Sequence, residues 1–401
     1  MAITVRQQPA NLFPAYNDAV YIVTSSNVAQ TNFKFVVDVY VGGTKVDRML
    51  IPPHPVELNG KANVSPLLES RVSTDINLSD NRILSNNNSY VEYELKFGEA
   101  YGSSGTIIYP NLTTVSGKYL WNAVLDYPDF CNYTSGDYIL SSSTPAPFLT
   151  NKPSSGDIMF DDNAWLHFID FNNQLSYAYI VTMDSTGMTL NTFKVDNKFL
   201  TDEFLRIVAG PLNMNTIPNP QFTSGSQPVF SGTESKYSIQ LFNISNVAIS
   251  ERYYYNIVDN CSRYEKRRLQ FLNELGGYDT FNFTLVSKEM IDIERSMFKK
   301  DLGTYKSSFS FVNSPNDRAY SQYHTRIKDK ISIQSDWVTE EQLAWLEQLV
   351  TSPDVRLDDG TNLIPINITN TTFEKKRVVN EKLFNLQLEY TLSYDRYRQR
   401  L

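Results

Sequence analysis

Apolar and polar positions alternate without a break along residues 384–392. Phe384, Leu386, Leu388, Tyr390 and Leu392 fall on one side, and Asn385, Gln387, Glu389 and Thr391 on the other. A period of two predicts a half-buried strand. Residues 33–41 show the same alternation, and Gly42-Gly43 then supplies a tight turn into a second strand over residues 44–51. Residues 19–24 read as the partner of 33–41 across the Asn/Ser-rich loop 25–32, and residues 90–97 add another strand. Between them, Ser65 is placed to cap a short helical turn with Pro66 in its first position. These elements predict an immunoglobulin-like β-sandwich.

The pattern weakens over residues 98–141. Gly98, Gly102, Gly105 and Gly117 precede an aromatic stretch at 119–138, and the whole reads as a long insertion. Pro145, Pro147 and Pro153 mark residues 141–156 as a linker. Strands then recur at 164–169, 176–183, 189–195, 204–208 and 237–241, with Asp184-Ser-Thr-Gly187 as a turn and 210–234 as an extended loop. They predict a second immunoglobulin-like sandwich. Residues 268–275 read as a strand or short helix that Gly276-Gly277 ends, followed by a strand at 281–285.

A C-terminal α+β module follows, in the order strand, helix, strands. Ile327, Ile331 and Ile333 mark the first strand, with Asp329 interrupting. Thr339 and Gln342 have capping-box spacing, Val338 can staple onto Leu343, and Glu340 and Glu341 suit the positive end of a helix dipole. Leu343, Leu346 and Val350 keep helical spacing, with Trp345 and Leu349 widening the face, until Pro353. Strands are expected at 355–357, 364–368 and 384–392. The expected division is therefore 1–145 with its insertion 98–141, 157–250 with its loop 210–234, and 251–401. Residues 299–325 are polar and Tyr/Ser-rich and carry no assignment, and 394–401 is a short basic tail.

Composition agrees with a mainly β chain, since 13% of the 401 residues are aromatic. The net charge of −8 argues against a dedicated nucleic-acid reader. Cys131 and Cys261 are too few and too far apart for a disulfide framework and read as two buried thiols, although a lone pair bridging domains stays open. No apolar h-region follows the first charge, and no apolar run approaches the ~20 residues of a membrane span. The Asn-x-Ser/Thr triplets read as chance in an Asn/Thr-rich chain made and kept in a cytoplasm.

Catalytic chemistry finds no foothold. His54 lies between prolines, His167 in a strand and His324 in a polar segment, none with a partner at ligand spacing. Asp358-Asp359-Gly360 reads as a hairpin turn, and Asp157, Asp161 and Asp162 as a strand-to-strand turn rather than a calcium loop. Adjacent carboxylates point apart and do not flank a glycosidic bond. Gly42-Gly43, Gly102/Gly105 and Gly276-Gly277 match no phosphate-cradling loop. The runs Lys266-Arg267-Arg268 and Lys375-Lys376-Arg377 read as solvated faces or subunit contacts. No catalytic, cofactor-binding or metal-binding residue is assigned, and no enzyme activity is expected.

Three groups of residues carry a resemblance. The stretch Phe271-Leu-Asn-Glu-Leu-Gly-Gly-Tyr-Asp-Thr-Phe-Asn-Phe283 is the first. The second is residues 335–354, from Ser335-Asp-Trp-Val-Thr-Glu-Glu-Gln onward, with Lys382-Leu-Phe-Asn-Leu386. The third is residues 32–45 with Asn63-Val-Ser-Pro-Leu-Leu-Glu69. They resemble structural tail proteins of phages that infect Bacteroidota, of the ring-protein type found in crAss-like phages. The resemblance implies a virion protein repeated around the tail axis, assembled in the host cytoplasm, with a tail-tube-like C-terminal module. Its expected partners are copies of itself in a ring and neighbouring tail, ring or portal-associated proteins. DNA passes through the lumen as non-specific cargo, and no membrane is involved. The alternative function is a glycan- or host-surface-binding sandwich that displays aromatic loops such as 119–138.

Overall fold

The computed structural model describes residues 3–76, 83–102, 107–199, 203–217, 222–224, 228–258, 264–306, 309–369 and 383–399. Of the described residues 49% are strand and 10% helix, so the chain is mainly β and built of several sheets, as expected. It divides into two compact units, residues 1–259 with 272–279, and residues 260–271 with 280–401.

The first unit holds both sandwiches. In the N-terminal one, the five-stranded sheet orders Leu12–Pro14, Ile107–Trp121, Tyr90–Tyr101, Lys34–Val41 and Thr44–Ile51. Ile3–Gln7, Val20–Ser25 and Gly60–Asn63 form the second sheet. Gly42 and Gly43, at φ 56° and 75°, make the predicted hairpin turn. Val20–Ser25 does not pair with Lys34–Val41 but lies in the second sheet. The loop between them crosses the sandwich, and Tyr21 meets Tyr93 inside the core at 2.9 Å between hydroxyls. Ser65 does not cap its helix either. Its Oγ donates to the Asn17 carbonyl (2.6 Å) and accepts from the Ala19 amide (3.1 Å), tying down the preceding strand.

The expected insertion 98–141 contains the strand Ile107–Trp121, paired with Tyr90–Tyr101. Gly98 and Gly117, which read as loop markers, lie within this strand pair, while Gly105 lies outside the described residues. A Cβ on Gly98 would lie 2.4 Å from the Tyr109 carbonyl oxygen, beside an irregularity in the ladder.

The second sandwich has a six-stranded sheet ordered Ser155–Ile158, Tyr253–Ile257, Lys236–Phe242, Tyr177–Met183, Thr189–Asp196 and Phe222–Ser224. Against it lie Trp165–Ile169, Phe204–Val208 and the two-residue strand Leu84–Ser85, which comes from the N-terminal part of the chain. Residues 141–156 do not behave as a linker. Ala146, Phe148 and Leu149 are buried, and Phe148 belongs to the second core. A smaller cluster of Leu12, Trp121, Leu125, Leu149, Ile169, Phe204 and Leu275 joins the sandwiches. Leu275 arrives on the turn after Arg267–Leu272, a strand rather than a helix, where Gly276 sits at φ 79°.

In the second unit an eight-stranded sheet carries the helix Glu340–Thr351. The capping box is as expected: Thr339 Oγ1 accepts from the Gln342 amide (3.3 Å) and Gln342 Oε1 from the Thr339 amide (3.0 Å). Leu343, Trp345, Leu346 and Leu349 pack on Phe271, Phe283, Ile333 and Leu388 of the sheet. The strand expected at 384–392 is broken. Leu383–Phe384 pairs with Val338–Thr339, and Gln387–Leu392 joins the main sheet. At the break, Ser335 Oγ accepts from the Leu386 amide (2.8 Å).

Candidate assembly surface

The most distinctive surface of the second unit is a β-arm of which the sequence marked only the inner part of one strand, at Ile327, Ile331 and Ile333. Lys288–Lys299 pairs with Tyr320–Gln334 along its whole length, from Lys288 opposite Ser332 to Lys299 opposite Tyr320. Beyond that, Tyr320–Gln334 pairs with Gln387–Leu392 over residues 330–334 and with Arg396–Tyr397 at Arg326 and Ile327. The outer half of the arm is therefore a bare two-stranded ribbon. Lys288–Lys299 also ends the strand order of the eight-stranded sheet.

Every side chain of Lys288–Lys299 except Ser296 is exposed. Ile291, Ile293 and Met297 share one face, and Met290 and Phe298 lie on the other. Farther out, Thr304–Tyr305 pairs with Phe311–Val312, and the Tyr305 and Phe311 rings meet edge to face at 4.9 Å. Tyr305 is 80% exposed and Phe309 entirely so, the latter at φ 57°. An isolated two-stranded ribbon is marginal in water, and a long apolar edge strand invites another chain. If each of the five apolar side chains on Lys288–Lys299 gained about 1 kcal/mol on being covered, the strand alone would contribute on the order of 5 kcal/mol to an interface.

Ion pairs hold the root of the arm in register. Lys330 meets Glu389 at 2.7 Å, Arg326 meets Asp395 at 2.6 Å, Arg267 meets Glu289 at 2.8 Å, and Arg396 pairs with Asp329. The hydrogen bond to Asp395 raises the Arg326 pKa, and that to Glu389 raises the Lys330 pKa. Such exposed pairs contribute little energy individually, but together they define where the ribbon leaves the sheet.

The residues weighed for chemistry lie apart from one another. His54 Nδ1 accepts from the amides of Val56 and Glu57 in an exposed turn. His167 is a buried sheet residue opposite Arg206, and its pKa falls to about 3, first from burial and then from the Arg206 charge. His324 lies on the arm, 5.7 Å from the Tyr397 ring. Asp162 accepts from the Met159 amide (2.9 Å) as a turn residue, and Asp359 accepts from the amides of Thr361 and Asn362, which lower its pKa. Asp358 is buried against Arg268 at 3.1 Å. Among the described residues no three His, Cys, Asp or Glu side chains are grouped to hold a metal ion.

Arg267 and Arg268 of the first basic run face carboxylates within the unit, while Lys375-Lys376-Arg377 lies outside the described residues. Cys131, expected buried, is an exposed free thiol, because it ends the short helix Tyr127–Cys131 whose Phe130 turns inward. Cys261 lies outside the described residues. The aromatic stretch 119–138 also turns inward: Tyr119, Trp121, Tyr133 and Tyr138 pack around the joining cluster, leaving Tyr127 outward.

No family model matches this chain, and no curated protein matches it. Two solved structures of the plexin A4 extracellular region are similar at 8% and 9% identity. Their TM-scores are 0.20 and 0.17, with 97% and 99% of this chain covered. The chain spans 39% and 34% of the length of those chains. No described helix is long and apolar enough to cross a membrane.

Proposed function

We propose that this chain is a structural virion protein, one subunit of a homo-oligomeric ring in a phage tail or portal-proximal assembly. The observation that carries the reading is the bare, apolar arm built on Lys288–Lys299, which has the surface of an assembly element and no chemistry of its own. The resemblance of residues 271–283 and 335–354 to tail ring proteins supplies the setting. Neighbouring tail or portal-associated rings are the other partners. DNA is non-specific cargo in the lumen, and an acidic chain, net −8, suits a channel that must not grip it. Assembly takes place in the host cytoplasm, and the finished protein resides in the virion. In the alternative, a glycan- or host-surface-binding sandwich, Tyr127 is the outward aromatic residue of 119–138, while Tyr119, Tyr133 and Tyr138 pack partly buried on the joining cluster.

Light scattering on the purified chain, with negative-stain images of the same fraction, tests this. Closed particles of many subunits are expected. A chain that stays monomeric from micromolar to millimolar concentration, at every ionic strength tried, would refute it.

A further inference from the structure

The open edge of Lys288–Lys299 is complementary to a second copy of itself. The strand ends the order of its sheet, and it carries no bulge, since the extra residue at the register shift belongs to Tyr320–Gln334. A regular edge strand that pairs antiparallel with its own copy does so about a two-fold axis through one residue, because opposed residues share a face. The residue on the axis then fixes every contact.

Centring on Glu294 opposes Met290 to Phe298 and Ile291 to Met297, each twice. Four of the five exposed apolar side chains of the strand thereby meet apolar partners. The same register opposes Glu289 to Lys299 twice, against one like-charged pair, Glu294 with its own copy. Arg326 stands opposite Glu294 in the arm's own ladder and brings a cation from each copy to that carboxylate pair. Glu289 meets Arg267 at 2.8 Å within the unit, yet its side chain is 63% exposed and can accept a second cation. Other centres do less. Ile291 or Asp292 on the axis leaves Met297 and Phe298 outside the overlap and sets Met290 against a carboxylate. Ile293 there opposes Asp292 to Glu294 twice, and Arg295 opposes two guanidinium groups with no ion pair to offset them.

We propose that two copies of this chain join through residues 289–299, edge to edge and antiparallel, with Glu294 on the two-fold axis. This rests on the reading of the arm as an assembly element and adds to it. An isologous contact closes as a pair, so a ring grows through a separate, heterologous contact.

The test is disulfide mapping on the full chain carrying Cys131→Ser and Cys261→Ser. Ile291→Cys and Met297→Cys are made separately, and circular dichroism matching the wild type confirms each fold. In the proposed register these two thiols face each other across the pair, whereas each lies about 20 Å from its own copy. Under mild oxidation an equal mixture should give about tenfold more linked dimer than either variant alone, with residue 291 joined to residue 297. Equal yields in all three samples overturn the pairing. Lys299→Glu turns both ion pairs into repulsions and should weaken dimerisation about tenfold in sedimentation, and an unchanged constant overturns the register. Large closed wild-type particles without the 291–297 link overturn the pairing and leave the ring reading standing. Linked pairs from a chain that forms nothing larger than a dimer uphold the pairing and remove the ring. A wild type that stays monomeric overturns both.

Discussion

The buried His167 ties the stability of the first unit to pH. It lies in the strand Trp165–Ile169, 6% exposed, opposite Arg206, whose guanidinium donates to the Asp75 carbonyl. Burial and the adjacent cation both disfavour the imidazolium, so the folded pKa is about 3 against the ordinary 6.5. The unfolded chain therefore binds a proton below pH 6.5 that the folded chain refuses until about pH 3. Stability from this group is complete above pH 6.5 and is lost as pH falls between those values. At pH 5 the loss is about 2 kcal/mol, and over the full window it is about 4–5 kcal/mol. Other groups titrate in the same range, so the comparison is with His167→Gln, which cannot take up the proton. Urea titrations equilibrated from pH 7.5 to 5 are read by a brief hydrogen-exchange pulse on the peptide carrying Trp165–Ile169. Wild type should lose about 2 kcal/mol more than the variant across that range. Parallel pH dependences in the two proteins would refute the argument.

Two further substitutions probe how each unit is held together. Gly276→Ala should destabilise the first unit by more than about 3 kcal/mol, since it forces a side chain into φ 79° and puts its Cβ 2.0 Å from the Asn122 carbonyl oxygen. A thermal midpoint within 2 °C of wild type would contradict this. In the second unit, Arg268→Met strands the fully buried Asp358 carboxylate and should cost about 3–5 kcal/mol, whereas Arg268→Met with Asp358→Leu should return to within about 1 kcal/mol of wild type. Hydrogen exchange in the peptide spanning Arg267–Leu272 separates the outcomes, and equal protection loss in the single and double variants would count against the paired-charge account.

Much of the sheet structure was legible because most strands have at least one dry face, and Trp165–Ile169 and Phe204–Val208 have two. Trp165–Ile169, Tyr177–Met183 and Phe204–Val208 all lie close to where alternation and apolar runs placed them. Pairing was less legible, because it depends on which sheet a strand joins. Residues 19–24 have the pattern of a strand whether they continue the first sheet or cross to the second. The choice was made by Tyr21 reaching Tyr93 through the core and by Ser65 tethering residues 17–19. Glycine misled for a related reason: Gly98 marks a backbone approach inside a strand pair, a contact invisible without the partner strand.

The outer strand of the arm, Lys288–Lys299, gave no sequence signal, on physical grounds. Alternation records one wet and one dry face, and Lys288–Lys299 has two wet ones. Its sequence, Lys-Glu-Met-Ile-Asp-Ile-Glu-Arg-Ser-Met-Phe-Lys, scatters apolar and charged residues on both faces, so no period emerges. Met290, Ile291, Ile293, Met297 and Phe298 stand outward on an open edge, whereas natural sheets blunt such edges with charge, proline or short length. Charge is present here on both faces of the strand, with Glu289, Asp292 and Glu294 flanked by Lys288 on one side and by Arg295 and Lys299 on the other. The missing period thus has a physical origin: neither face of the strand is dry, so no face is marked by an unbroken apolar set.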